Sequence, residues 1–170
     1  MDIRFEHKED MKLIGFSARI RPEQTYEKCP QFWESEYTRR FEHLFNTGVP
    51  ENGEELAVVE NKIGGFALCS MNDDDTLEYA ITGIYEGGRV PWGMKVYDLP
   101  ESDYAVFTNK GPWPDSLREI DRELWTMWYP LEGYKYGANP RLTVEVYPEG
   151  DRTAKDYEMS LWVPVKRTEE

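Results

Sequence analysis

Six consecutive residues, Leu142-Thr143-Val144-Glu145-Val146-Tyr147, combine strict apolar alternation with one acid and one phenol. Along an extended strand successive side chains point to opposite faces. Leu142, Val144 and Val146 therefore share one face, and Thr143, Glu145 and Tyr147 share the other. The run Met159 to Val165 alternates in the same way and places Ser160 and Trp162 together. If both runs join one sheet, a carboxylate stands among aromatic rings. Ring faces and a carboxylate both attract positive charge, so such a site suits a flat, cationic or electron-poor organic molecule. Burial would raise the pKa of the empty-site Glu145 carboxylate. A bound cation would relieve that penalty through a charge-assisted contact. Large, weakly hydrated cations would then be preferred over sodium or potassium. Alternation alone describes an ordinary solvent-facing strand glutamate equally well.

Other rings extend the candidate site. Trp92 beside the Gly93 turn is a candidate rim residue, and Tyr79 and Phe107 are candidate walls. Trp33 and Trp128 fall on apolar helical stripes and are assigned to core packing. Tyr134 and Tyr136 flank a glycine-containing loop that would form a lid. Nucleophile elbows, phosphate-binding glycine loops and dinucleotide fingerprints are absent, and Gly64-Gly65 and Gly87-Gly88 mark turns. His7 and His43 lie far apart without ligand spacing, so neither a dedicated metal site nor a cofactor is expected. Asn72-Asp73-Asp74-Asp75 lacks the glycine and distal glutamate of a calcium loop and is assigned to a hairpin turn.

The elements that must position these residues follow from periodicity. Trp33, Tyr37, Phe41, Leu44 and Phe45 recur at helical spacing from about Pro30 to Phe45. Pro30 is placed in the first turn, and Gly48 and Pro50 close the helix. Leu117, Ile120, Leu124 and Trp128 form the stripe of a second helix from about Pro114 to Trp128, with Pro130 as its stop. A hairpin-like stretch, Ile3 to Ile20, precedes the first helix, and Phe66 to Met71 and Leu77 to Tyr85 follow it. Met94 to Asn109 precedes the second helix, and Leu142 to Tyr147 and Glu158 to Val165 follow it. One strand–helix–strand–strand plan is thus used twice, with each lead-in bent into two strands. The expected fold is α+β: a single domain over 1–170, with pseudo-symmetric repeats at about 1–86 and 91–167. Two main helices would cover one face of a largely antiparallel, curved sheet. A closed barrel with flanking helices is the rival architecture.

Bulk properties narrow the partners. The 170 residues carry a net charge of −13 with no dense Lys/Arg block. Direct nucleic-acid binding is disfavoured, because it rests on clustered positive charge. Mean hydropathy is −0.73 and no long apolar run or signal segment occurs, so no membrane association and a cytoplasmic location are expected. Cys29 and Cys69 form no CxxC pair and are expected as thiols.

Several segments taken in order give a resemblance. They are Leu77-Glu78-Tyr79, Pro91-Trp92-Gly93-Met94, and Leu99-Pro100 with Tyr104-Ala105-Val106-Phe107 and Gly111. Trp128-Tyr129-Pro130, Gly133-Tyr134 and Pro140-Arg141-Leu142 follow, with Glu145, Tyr147 and the ending Leu161-Trp162-Val163-Pro164-Val165. From Leu77 onward the chain resembles the GyrI-like small-molecule-binding domains, which are related to the effector-binding modules of transcription activators such as BmrR and Rob. The first third matches by element pattern only. The resemblance implies a stand-alone, pseudo-twofold domain with an acid at the base of an aromatic pocket, and that acid aligns with Glu145. Candidate ligand-binding residues are then Glu145, Tyr147, Trp162, Trp92, Tyr79 and Phe107. Three functions are implied. The leading one is a binding module for hydrophobic, aromatic or cationic small molecules, serving drug or toxin sensing or sequestration. The second is hydrolysis of cyclopropane-type electrophilic genotoxins, with Glu145 and Tyr147 as the catalytic pair. The third is gyrase-inhibitor-like engagement of a protein partner such as gyrase through the acidic surface.

Overall fold

A computed structural model describes residues 1–166. The strands are β1 (Asp2–Lys8), β2 (Met11–Ile20), β3 (Phe66–Met71), β4 (Leu77–Ile84), β5 (Lys95–Leu99), β6 (Ser102–Lys110), β7 (Leu142–Val146) and β8 (Glu158–Val165). The α-helices are α1 (Thr25–Trp33), α2 (Glu42–Thr47), α3 (Gly53–Glu60) and α4 (Asp115–Glu123). The fold is α+β with antiparallel strand pairing, and it divides into two compact units. One unit is Met11–Leu99. The other joins Met1–Asp10 to the chain from Pro100 onward.

In the Met11–Leu99 unit the strands run β3-β4-β2-β5. Phe16 on β2 faces the helical layer, with its ring 5.9 Å from Phe32 on α1 and 6.0 Å from Phe41. Tyr79 on β4 packs 6.2 Å from Phe32 on the same side. These rings carry the apolar stripe that the 3.6-residue period displays, and their burial holds helix to sheet. Gly15 lets β2 and β4 approach, since a Cβ there would lie 1.9 Å from the Ile81 carbonyl oxygen. In the second unit the order is β1-β6-β8-β7. Phe107 on β6 meets Trp128 at 5.2 Å in an edge-to-face pair, so helix again covers one sheet face. Each unit places the strand before its helix between the last of the two following strands and one further strand.

Several boundaries differ from expectation. The Ile3 to Ile20 stretch contributes to both units, because β1 pairs with β6 whereas β2 pairs with β4 and β5. The units therefore do not part at the expected repeat limits of 86 and 91. Pro30 lies inside α1, and Pro22 heads the turn ahead of it. Pro130 does not stop the second helix either, because α4 widens into a π-helical segment over Leu124–Gly133 that passes through it. A proline ring clashes with the carbonyl four residues earlier in an α-helix, and an i→i+5 turn relaxes that conflict. A matching π-helical segment, Glu34–Arg39, follows α1. Helix α3 was not foreseen. Its start is a reciprocal cap in which Asn52 Oδ1 accepts from the Glu55 amide at 2.9 Å and Asn52 Nδ2 donates to Glu55 Oε2 at 3.1 Å. Gly48 closes α2 in the left-handed region at φ 71°, as its position suggested.

Candidate ligand-binding site

Strand β7 ends at Val146, and Glu145 and Tyr147 project from the same side, as alternation requires. The Tyr147 hydroxyl donates a hydrogen bond to Glu145 Oε1. Both side chains are buried, Glu145 at 7% exposure and Tyr147 at 3%. The carboxylate is thus neither wetted nor on a flat exterior. Burial drives the Tyr147 pKa well above the ordinary phenol range, and the charge and hydrogen bond of Glu145 push it further the same way. The phenol stays protonated and acts as a donor. A donor aimed at a buried carboxylate offsets part of its lost hydration.

Two residues not singled out by sequence complete this cluster. The Trp113 indole nitrogen donates to the Tyr147 hydroxyl at 2.9 Å, and the two rings meet edge to face at 6.2 Å and 90°. The guanidinium carbon of Arg152 lies 4.5 Å from the centroid of the Tyr147 ring. Trp113 and Arg152 are half-buried and so provide the more accessible side of the cluster. Trp113 precedes α4, and Arg152 sits in the turn between β7 and β8. Neither falls on a periodic stripe that would have marked it.

The remaining predicted site residues separate. Opposite residues in an antiparallel ladder share a face, and Glu145 stands opposite Leu161, which stands opposite Phe107. Phe107 is therefore on the Glu145 face, fully buried beneath Trp128. Trp162 stands opposite Val144 and projects from the other face of β8, with its ring 5.8 Å from Tyr104 and Lys8 Nζ 4.7 Å from its centroid. Tyr79 belongs to the Met11–Leu99 unit, where it is buried and its hydroxyl accepts from Trp33 Nε1 at 2.8 Å. Trp92, in the same unit, is 95% exposed. Tyr134 is exposed, and Tyr136 packs against Phe5 at 4.7 Å.

A separate open cleft of about 520 Å³ lies in the Met11–Leu99 unit, between β2 and the helical layer. Phe16 and Phe32 floor it, and Arg19, Lys28, Glu36 and Arg40 give it a charged border. Gly93, from the turn beside Trp92, lines it, whereas none of the six candidate ligand-binding residues does. Among the described residues one group could offer three metal ligands, namely His7, Glu9 and Glu101, whose ligand atoms lie within 4.8 Å of one another. All three are exposed, and the His7 ring is already shared between Glu101 at 3.0 Å and Asp103 at 2.8 Å. A surface ion-pair cluster accounts for that arrangement. Cys29 and Cys69 remain thiols. Among the described residues no helix is long and apolar enough to cross a membrane.

Comparison with solved structures identifies the same fold elsewhere. SAV2435 bound to tetraphenylphosphonium aligns with 98% of this chain and 94% of its own at 21% identity, with a TM-score of 0.74. A bacterial transcription regulation protein from Staphylococcus aureus MU50 aligns over 98% and 99% at 20% identity, with a TM-score of 0.73. The EcmrR C-terminal domain aligns over 98% of both chains at 12% identity, with a TM-score of 0.57. No curated protein matches the chain in sequence. The family profile matches residues 1–166, nearly the whole length, and the chain belongs to the GyrI-like small molecule binding domains.

Proposed function

We propose that this GyrI-like domain binds hydrophobic organic cations, with the Glu145 carboxylate as charged anchor and the Tyr147 ring as the adjoining π-face. The observation that carries the proposal is a strand carboxylate at 7% exposure, held by a phenol that is itself buried. A carboxylate in that setting has given up most of its water. A large cation regains Coulomb energy there without losing much hydration of its own, whereas sodium would have to shed a tight shell. Support also comes from the relative that carries tetraphenylphosphonium, a cation surrounded by four rings.

The geometry favours binding over hydrolysis. A hydrolase built on the same pair would need the Tyr147 hydroxyl to protonate a departing group. That hydroxyl instead donates to Glu145 and accepts from Trp113. Its pKa, raised by burial, makes it a poor acid near neutrality.

Titration calorimetry with tetraphenylphosphonium on the whole chain tests the proposal. Glu145→Gln keeps the shape and removes the charge, and it should weaken binding by about 1.5–3 kcal/mol, roughly 10- to 150-fold. A dissociation constant unchanged by Glu145→Gln refutes the assignment of the site.

A further inference from the structure

We propose that Arg152 is a resident cation that occupies the ligand's place on the Tyr147 ring, so that an organic cation binds by exchange with its guanidinium. This rests on the site reading above and adds a selectivity device to it. The Arg152 guanidinium carbon stands 4.5 Å from the Tyr147 ring centroid, inside the roughly 6 Å range of a cation–π contact. The same phenol bonds Glu145. Ring face and carboxylate are therefore two parts of one cation-attracting surface, and the Arg152 guanidinium covers the ring part.

The anchoring of Arg152 suits a removable plug. Its turn is fixed by Asp151, whose Oδ1 accepts from the Thr153 amide at 2.9 Å and the Thr153 hydroxyl at 2.6 Å. The Arg152 carbonyl accepts from the Trp113 amide at 2.7 Å. Backbone ties thus hold the Arg152 main chain beside Trp113, the other group lying on Tyr147. The guanidinium also donates to the Tyr157 hydroxyl, so swinging the long side chain to water exchanges that bond and the ring contact for hydration while the backbone ties persist. A planar, weakly hydrated guanidinium stacks on a ring better than an ammonium does, so arginine suits the role more than lysine.

Selectivity follows from the exchange. Arg152 is tethered, so it competes at a high effective concentration regardless of what is in solution. Sodium or a small ammonium recovers no ring contact that the guanidinium does not already make. A cation bearing several aromatic groups adds apolar burial to the charge and can displace it. The apparent affinity is the intrinsic one reduced by the fraction of chains with the ring uncovered.

The test compares wild type, Arg152→Gln, Arg152→Lys and Glu145→Gln as whole chains, each checked by a thermal melt. Two probes are titrated, tetraphenylphosphonium and the neutral triphenylphosphine oxide. Arg152→Gln should bind the phosphonium about threefold to thirtyfold more tightly. Arg152→Lys should lie between Gln and wild type, and it carries the test if the Gln variant does not fold. The neutral probe should gain less than the phosphonium, because loss of the guanidinium uncovers the ring for either probe but removes like-charge repulsion for the cation alone. Unchanged or weaker phosphonium binding by the Arg152 variants, with Glu145→Gln still impaired, overturns the exchange while leaving the site intact. An equal gain for both probes also overturns it, because simple opening of space would do that. Phosphonium binding that is indifferent to Glu145→Gln, or absent in every chain, refutes the site itself.

Discussion

Replacing Tyr147 by Phe removes a single oxygen from the cluster and tests whether its hydrogen bonds hold the carboxylate in place. That oxygen donates to Glu145 Oε1 and accepts from the Trp113 indole at 2.9 Å. The ring itself, 3% exposed, loses nothing in packing. A hydrogen bond to a charged group contributes about 1.5–3 kcal/mol, and one between neutral groups about 0.5–1.5 kcal/mol. Glu145 has further interactions, so the lower part of the combined range applies, about 2–3 kcal/mol. Urea unfolding followed by fluorescence reads this directly. With a slope of about 2 kcal/mol/M, the midpoint should fall by about 1–1.5 M at unchanged slope. Coupling can be isolated by adding Glu145→Gln. The double variant should lose less than the two single losses summed, because each partner's loss already breaks the shared bond. A Tyr147→Phe chain within about 0.5 kcal/mol of wild type, at equal slope, would refute the claim that this phenol secures the buried acid.

Three further outcomes follow from other parts of the structure. Asp121 on α4 has no charged or hydrogen-bonding partner for its carboxyl among the described residues, and burial raises its pKa to about 7. The folded chain therefore holds a proton that the unfolded chain releases near pH 4, so stability declines as pH rises from about 4 to 7 and stays low above that. Asp121→Asn should match wild type at pH 4 and exceed it at pH 8 by about 1–2 kcal/mol, part of the full shift being discounted for the water the carboxyl still meets. A pH-independent difference in urea midpoints would contradict this. Gly15→Ala would drive a Cβ into the Ile81 carbonyl at 1.9 Å, where only backbone can give way, and should cost about 3 kcal/mol. Gly53→Ala, with open space around it, should be close to neutral, both read from urea midpoints.

The local part of the candidate site is legible in the chain itself. A period of two puts Glu145 and Tyr147 on one side of the chain, which brings the phenol within reach of the carboxylate it bonds. The two helices likewise announce themselves through apolar stripes, with Phe41 and Trp128 buried where the period places them. Proline positions misled at the ends, because Pro30 and Pro130 are accommodated inside helical segments. The turn type at each proline is a matter of its surroundings as much as of its residue.

Strand alternation established which residues of β7 share a face, and composition established a chain with a net charge of −13. Neither could say that Leu161 rather than Trp162 stands opposite Glu145. Register between strands is a tertiary quantity, and a slip of one residue exchanges every facing side chain. Tertiary structure also decided that Trp113, 34 positions away, would reach the Tyr147 hydroxyl, and that Arg152 would lie on its ring. Contacts across loops have no period to reveal them. They are set by where the packed sheet and helices leave the connecting chain.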